Sequence, residues 1–224
     1  MRYLGWDFPV IKELQIVGAG KRRALCPVCF SSDRSRMVYL YLRDYLKLPD
    51  SRKKWSVLHI APEEDLYTAI RSMLKDNCGK YVCGDKFEEK HFYPDYIQYM
   101  DITNIVQDDS TFDLIICIHV LEHVPNDDVA LKELFRVLKP GGIAILQVPI
   151  SKTLEKTFED FSVTDPDERR RLFGQWDHCR VYGQDFGKRV EEAGFSFSRI
   201  NISNQEKYAK FVLNNEEELF IARK

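Results

Sequence analysis

The sequence lacks a long apolar run. No stretch reaches the roughly 18 consecutive apolar residues that read as a membrane-spanning helix. The opening segment, MRYLGWDFPVIKEL, has no signal-peptide apolar core. A hydrophobic content of 44% and a charged content of 30% are typical of globular proteins. We therefore expect a cytoplasmic protein without a membrane partner, large enough at 224 residues to bury a sizeable core.

The sequence also lacks the cysteine pattern of a disulfide scaffold, because its six cysteines are scattered. Cys26 and Cys29 alone have the spacing of half a zinc site, and no second CxxC completes the four ligands of a structural site. The other candidate ligands are spread across the chain: Cys78, Cys83, His91, His178 and Cys179. We favour a metal-free turn at Cys26 and Cys29, with zinc as the alternative.

Glycine is missing where a nucleotide-binding loop would need it. The predicted strand Val57–Ile60 leads through Ala61 and Pro62 into a helix without GxGxxG, and that helix opens with the acids of the EED run at 63–65. These carboxylates would repel a pyrophosphate, which disfavours an NAD site. The segment VGAGKRR is not a phosphate loop either, because the first glycine of GxxxxGK would fall at Gln15.

Charge of one sign is not in excess overall, since the net charge is −2, but it is unevenly distributed. Residues 20–54 contain ten Lys or Arg against three Asp, which makes this segment +7 and the remainder −9. This segment is either a solvated basic face or a surface that attracts an anionic substrate.

Residues 112–149 carry the clearest pattern in the chain. Phe112–Ile118 is a nearly continuous apolar run, as expected for a strand covered on both faces. An amphipathic helix follows, with an apolar face at spacings of three and four. Lys139-Pro140-Gly141-Gly142 should end that helix, and a second buried strand should span Ile143–Val148. This order predicts a right-handed crossover in a parallel sheet.

This run of 38 positions resembles the class I S-adenosylmethionine (SAM) dependent methyltransferases, type 11-like, which commonly read FDxI, VLEHV and LKPGG at these spacings. The resemblance implies an α/β, Rossmann-like methyltransferase fold. Its seven-stranded sheet is mostly parallel with an antiparallel last strand, and helices cover both faces. The methyltransferase domain would span 55–224. Residues 1–54 would be an extension with the CPVC turn and an amphipathic helix from Arg34 to Leu48.

The resemblance also implies S-adenosyl-L-methionine as cofactor, although LHIAPE departs from the usual acid and GxGxG of the family. Asp85 ends the second strand and would bind the ribose hydroxyls, and Asp101 follows the third strand and would bind the adenine amino group. The predicted cofactor-binding residues are His59, Ala61, Glu63, Asp85, Lys86, Asp101, Ile102, Ile118 and His119. Glu122 and His123, in the LEHV turn, are assigned a structural hydrogen-bonding role.

Residues 151–181 are predicted to form a substrate lid beside the cofactor. Asp177, His178, Arg180 and Tyr182 could converge on a substrate there. His178, next to a carboxylate, is the first candidate general base and His119 the second. In the alternative, His178 and Arg180 only hold the loop in place.

The sequence thus predicts methyl transfer to a small or medium polar acceptor, including anionic ones such as a sugar or nucleotide-linked metabolite. Two alternatives stay open. One is RNA methylation that uses the basic segment as a nucleic-acid contact. The other is a non-catalytic binding protein that kept the fold but lost the cofactor loop. The sequence does not indicate an oligomeric state.

Overall fold

A computed structural model describes residues 1–87 and 92–224, so His91 lies outside the described residues. Its centre is a sheet of seven strands: β1 (Trp55–Ile60), β2 (Cys78–Asp85), β3 (Ile97–Tyr99), β4 (Phe112–Ile118), β5 (Leu138–Gln147), β6 (Ser196–Ile200) and β7 (Leu219–Arg223). Their order is β6-β7-β5-β4-β1-β2-β3. Strands β1 to β5 are parallel, and β7 runs antiparallel to β5 and β6. The predicted fold is confirmed.

The described residues form six α-helices beside the sheet: α1 (Pro9–Glu13), α2 (Asp33–Leu40), α3 (Glu64–Leu74), α4 (Asp127–Val137), α5 (Pro166–Phe173) and α6 (Phe186–Glu192). Helix α2 continues as a π-helix at Tyr41–Tyr45, and 3₁₀ turns lie at Leu48–Asp50, Lys75–Asn77, Leu121–His123 and Glu206–Phe211. No described helix is long and apolar enough to cross a membrane.

Strand β4 has an unbroken apolar pattern because both faces of the sheet are covered. Ile115 and Cys117 pack in one apolar cluster, and the alternating Leu114 and Ile116 pack in the other. One boundary differs from the prediction. Helix α4 ends at Val137, and β5 begins at Leu138 and includes the predicted Pro-Gly-Gly stop, because Leu138 pairs with Phe112 of β4.

The first 25 residues pack against the segment predicted to be a lid. Strand Ile16–Val17 pairs with Ile150–Ser151, and Arg2–Leu4 pairs with Arg22–Leu25. Residues 151–181 are not a plain loop, since they contain α5 and the strand Phe158–Glu159, which pairs with Arg180–Val181. Helices α1 and α5 share a small apolar cluster: Val10, Ile11, Ile16, Phe173 and Val181. The two segments therefore form one wall beside the sheet.

Candidate active site

The carboxyl ends of β1, β2 and β4 form one edge of the sheet, and several predicted cofactor residues lie on it. The Ala61 amide donates to the Gly84 carbonyl across β1 and β2 at 2.8 Å. Asp85 ends β2 opposite Tyr99 of β3, and Asp101 follows two residues later. Such an edge is where open α/β sheets bind their ligands.

Two turns at this edge have left-handed backbone conformations without glycine. Ala61 has φ of 44° after β1, and His119 has φ of 54° after β4. A residue with a Cβ atom in this region costs roughly 1–2 kcal/mol. The turn after β1, which lacks the usual glycines, therefore keeps the left-handed conformation that glycine would favour. The conformational strain of this turn lies at Ala61.

The other predicted cofactor residues occupy different positions around this edge. Asp101 accepts hydrogen bonds from the amide and hydroxyl of Thr103 at 2.9 and 2.7 Å, and Lys86 Nζ lies 3.7 Å from its carboxylate. Ile102 and Ile118 are buried core residues. Glu63 precedes α3 and lies 3.3 Å from Arg34 Nε.

His59 lies inside β1 and is fully buried. Its Nδ1 atom is 3.1 Å from the Tyr81 hydroxyl, and Tyr81 packs edge-on against Tyr67 of α3. Burial lowers the pKa of His59 to about 3, so the imidazole is neutral. The contacts place this residue beneath α3, in the packing between sheet and helix.

A cavity of about 300 Å³ opens beside His119. Its floor includes Glu122 and His178, and the folded N-terminal segment supplies the opposite wall through Gly18–Gly20 and Arg22. Arg22 is paired with Asp33 at 2.8 Å. Two of the residues in this wall, Gly18 and Gly20, have positive φ, and a sequence pattern alone does not reveal that they face the cavity.

Histidines and carboxylates cluster at the cavity floor. Nδ1 of His119 lies 3.3 Å from Glu122 Oε1, without hydrogen-bond geometry. The rings of His123 and His178 are perpendicular, with centroids 4.7 Å apart. Asp177 lies 3.1 Å from Nδ1 of His123. The predicted pairing of Asp177 with His178, the candidate general base, is therefore replaced by a pairing of Asp177 with His123.

The protonation of this cluster follows from burial. Burial lowers the pKa of His119 and of His178 to about 4, so both imidazoles are neutral near pH 7. Burial would raise the pKa of Glu122, but the imidazoles of His119, His123 and His178, which are positively charged when protonated at low pH, outweigh it and lower that pKa to about 2. At neutral pH the cluster therefore combines a carboxylate with the neutral imidazoles of His119 and His178.

Arg180 and Tyr182 hold the segment after α5 against the turn that follows β4. Arg180 Nη1 donates to the Leu121 carbonyl at 2.9 Å, its Nη2 donates to the Pro125 carbonyl at 2.8 Å, and its Nε pairs with Glu159. The Tyr182 hydroxyl donates to Asp127 at 2.8 Å. These contacts engage the polar atoms that were predicted to meet a substrate, so both residues act on the site by holding it in place.

The CPVC turn stands apart from this cluster. Cys29 is exposed, and its Sγ lies 3.2 Å from the Ser31 hydroxyl. Backbone N–H groups of Cys29 and Val28 lower the pKa of Cys26. Within residues 1–87 and 92–224, neither cysteine belongs to a group of three metal-ligating side chains.

Part of the chain is similar to known methyltransferases. Residues 65–146 match the model of a methyltransferase domain family. Over 70 residues the chain is 40% identical to the ubiquinone/menaquinone biosynthesis C-methyltransferase UbiE of Idiomarina loihiensis, a match that covers 30% of this chain and 28% of that protein. The chain thus spans less than a third of this curated relative.

Solved structures show the same fold. A SAM-dependent methyltransferase from Mesorhizobium loti is 12% identical, with a TM-score of 0.56, over 85% of this chain and 100% of that one. The 1,6-didemethyltoxoflavin-N1-methyltransferase of Burkholderia thailandensis, solved with its substrate and S-adenosylhomocysteine, is 14% identical, with a TM-score of 0.52, over 85% of this chain and 77% of that one. At these identities the likeness extends to the fold alone.

Proposed function

From the match of residues 65–146 to a methyltransferase domain family and from the fold, we propose that the chain is a SAM-dependent methyltransferase that transfers the methyl group of SAM to a small or medium polar acceptor. The observation that carries the proposal is the cavity beside His119, which adjoins the strand edge where the predicted cofactor residues lie. The acceptor and the donor would meet at the turn after β4.

We assign the cofactor to the edge formed by Ala61, Asp85 and Asp101. Asp85 would accept hydrogen bonds from the ribose hydroxyls, and Asp101 would bind the adenine amino group. Glu63 suits the ammonium group of the cofactor, because its Oε2 atom is enclosed and has no hydrogen-bond partner in the described structure. Bound SAM supplies an electrophilic methyl group. The protein aligns the acceptor with it at about 3–3.5 Å and excludes water.

The acceptor would lie in the cavity between His119, His178 and the N-terminal wall. Both histidines are neutral near pH 7, so each can accept a proton from a hydroxyl or ammonium acceptor. Arg22 and Arg34 line the same cavity and suit an acceptor with an acidic group, such as a sugar or nucleotide-linked metabolite. Each arginine already contacts a carboxylate, so a neutral polar acceptor is also accommodated.

Calorimetric titration with SAM and with S-adenosylhomocysteine tests the cofactor assignment. We expect both to bind. Asp85→Ala should weaken binding by at least about tenfold, because hydrogen bonds to a charged group are worth about 1.5–3 kcal/mol. Asp76→Ala is the matched control, since Asp76 is exposed near the opposite end of β2 and should leave affinity unchanged. No binding heat and no thermal stabilisation by either compound would reject the proposal and favour a non-catalytic module.

RNA methylation is a weaker candidate, because several basic residues of segment 20–54 have partners within the protein. Arg22 pairs with Asp33, Arg43 with Asp44, and Arg36 donates to four backbone carbonyls. We expect RNA affinity to be weak at physiological salt. Tight binding that falls steeply as salt rises would reverse this preference.

A further inference from the structure

Three metal-ligating side chains meet at the cavity floor. Glu122 and His123 lie in the 3₁₀ turn after β4, and His178 approaches from the segment after α5. Each offers one ligand atom, and these atoms lie within 4.8 Å of one another. Across residues 1–87 and 92–224 this is the one group of three such residues.

The Glu122 carboxylate lies in a setting that favours a cation. The residue is 1% exposed, and neither carboxylate oxygen accepts a hydrogen bond within the described structure. A buried carboxylate that accepts no hydrogen bond is costly, and a bound cation offsets that cost. The nearest nitrogen, Nδ1 of His119, lies 3.3 Å from Oε1 and is poorly aligned for a hydrogen bond. A divalent ion would supply the missing positive charge.

One histidine of the group also has a partner of the kind that orients metal ligands. Asp177 contacts Nδ1 of His123 at 3.1 Å. A carboxylate or carbonyl on one ring nitrogen fixes the tautomer and the ring orientation of a ligating histidine.

The backbone holds the two halves of the group together before any ion binds. The Cys179 amide donates to the Glu122 carbonyl at 3.1 Å, and its thiol contacts the same oxygen at 3.3 Å. Arg180 then joins the carbonyls of Leu121 and Pro125. His178 is thereby fixed next to Glu122, which is the preorganisation that a metal site requires.

We propose that Glu122, His123 and His178 bind a first-row divalent transition-metal ion of the zinc class. Two imidazoles and one carboxylate suit zinc and its neighbours better than magnesium or calcium, which prefer oxygen ligands. Metal–ligand distances of about 2.0–2.2 Å would place the three ligand atoms roughly 3–3.5 Å apart, so modest side-chain rotation completes the site. Three protein ligands leave a coordination position for water or an acceptor oxygen in the cavity.

The binding of the ion goes beyond the proposed methyl transfer and does not depend on it; with the ion bound, His178 is a ligand and His119 is the remaining candidate base. Titration of the full chain with Co²⁺, followed by visible absorption and equilibrium dialysis, tests it directly. We expect one equivalent of Co²⁺ with d–d bands and without the intense near-ultraviolet band of a thiolate-ligated cobalt. Zn²⁺ should displace it.

The variants separate this site from the CPVC turn. Glu122→Gln and His178→Gln should each weaken Co²⁺ binding by at least about 100-fold, since loss of an outer-shell partner alone costs 10–100-fold. The double variant Cys26→Ser with Cys29→Ser should retain the ion and the spectrum. Circular dichroism establishes that each variant is folded.

Proton NMR of the wild-type rings covers the case in which a variant fails to fold. Zn²⁺ should shift the resonances of His123 and His178 and leave those of His59 in place. Any one of four results overturns the proposal: no Co²⁺ bound by the wild type, a thiolate band lost in the double cysteine variant, unchanged affinity in folded Glu122→Gln and His178→Gln, or unshifted His123 and His178 rings. SAM binding measured on the same samples keeps this result separate from the cofactor assignment.

Discussion

At the scale of single residues, Ala61 shows how a site can keep its turn while losing the usual glycine. The missing glycine was visible in the sequence, but the conformation was not. The amide of Ala61 is held by the Gly84 carbonyl at 2.8 Å, and this bond keeps the residue at φ of 44° despite its methyl group. Strain of this kind gathers at ligand-binding turns, where surrounding contacts over-determine the backbone.

Replacement of Ala61 by glycine tests this strain. Relief of a left-handed conformation is worth roughly 1–2 kcal/mol, and the added freedom of the unfolded chain offsets about half of it. We expect Ala61→Gly to raise the free energy of unfolding by up to about 1 kcal/mol. Urea denaturation at equilibrium measures it.

The matched control is Ala69→Gly in the middle of α3. There the same chemical change should lower the free energy of unfolding by about 1 kcal/mol, because glycine weakens a helix interior. Equal destabilisation by both substitutions would show that the Ala61 turn carries no strain.

At the scale of elements, the segment after α5 and the turn after β4 act as one unit. Arg180 is buried at 1% exposure, and its guanidinium meets the carbonyls of Leu121 and Pro125 as well as Glu159. From the sequence, Arg180 could be placed in the predicted lid beside the cofactor, where it was a candidate substrate contact. Its orientation depends on carbonyls more than 50 positions earlier, which no local pattern encodes.

Arg180→Met keeps the length of the side chain but removes every donor. We expect the free energy of unfolding to fall by about 3–5 kcal/mol, because the substitution leaves buried carbonyls and the Glu159 carboxylate without their partner. The change in urea midpoint measures this loss. Arg170→Met is the control, since Arg170 forms an exposed pair with Asp167 on α5 and should cost less than about 1 kcal/mol. Similar losses in the two variants would contradict the holding role of Arg180.

At the scale of the whole molecule, the sequence predicted the sheet well and the site poorly. Strand β4, helix α4 and strand β5 have local apolar patterns, so their order and topology could be read directly. The cavity combines residues 18–22, 119–123 and 178, and the contact of His123 with Asp177 is long-range. The sequence indicates the residue types of the site but suggests their partners only by adjacency. Adjacency pairs Asp177 with His178, whereas in the structure Asp177 pairs with His123.

The carboxylate of Asp113 connects Lys53 with strands β1, β4 and β5. Its protonation should therefore change the free energy of unfolding of the whole chain. Asp113 in β4 is buried at 3% exposure, accepts the Ser56 amide at 2.8 Å and pairs with Lys53 and Lys139. Burial alone would raise its pKa, but Lys53, the Ser56 amide and Lys139 outweigh burial and lower the pKa below 3.8. Its contribution to stability is therefore fully present above 3.8 and is lost as pH falls through the folded-state pKa.

Asp113→Asn removes the charge and keeps the shape. Near pH 7 we expect the free energy of unfolding to fall by about 1.5–3 kcal/mol, the range for hydrogen bonds to charged groups. The difference between wild type and variant should stay constant down to about the unfolded-state pKa of 3.8 and shrink below it. Urea midpoints across this pH range measure the trend. Asp108→Asn is the control, because Asp108 is exposed and should give a small difference at neutral pH. A gap for Asp113→Asn that persists unchanged to the lowest pH would mean that the packing of Asp113, and not its charge, joins these strands.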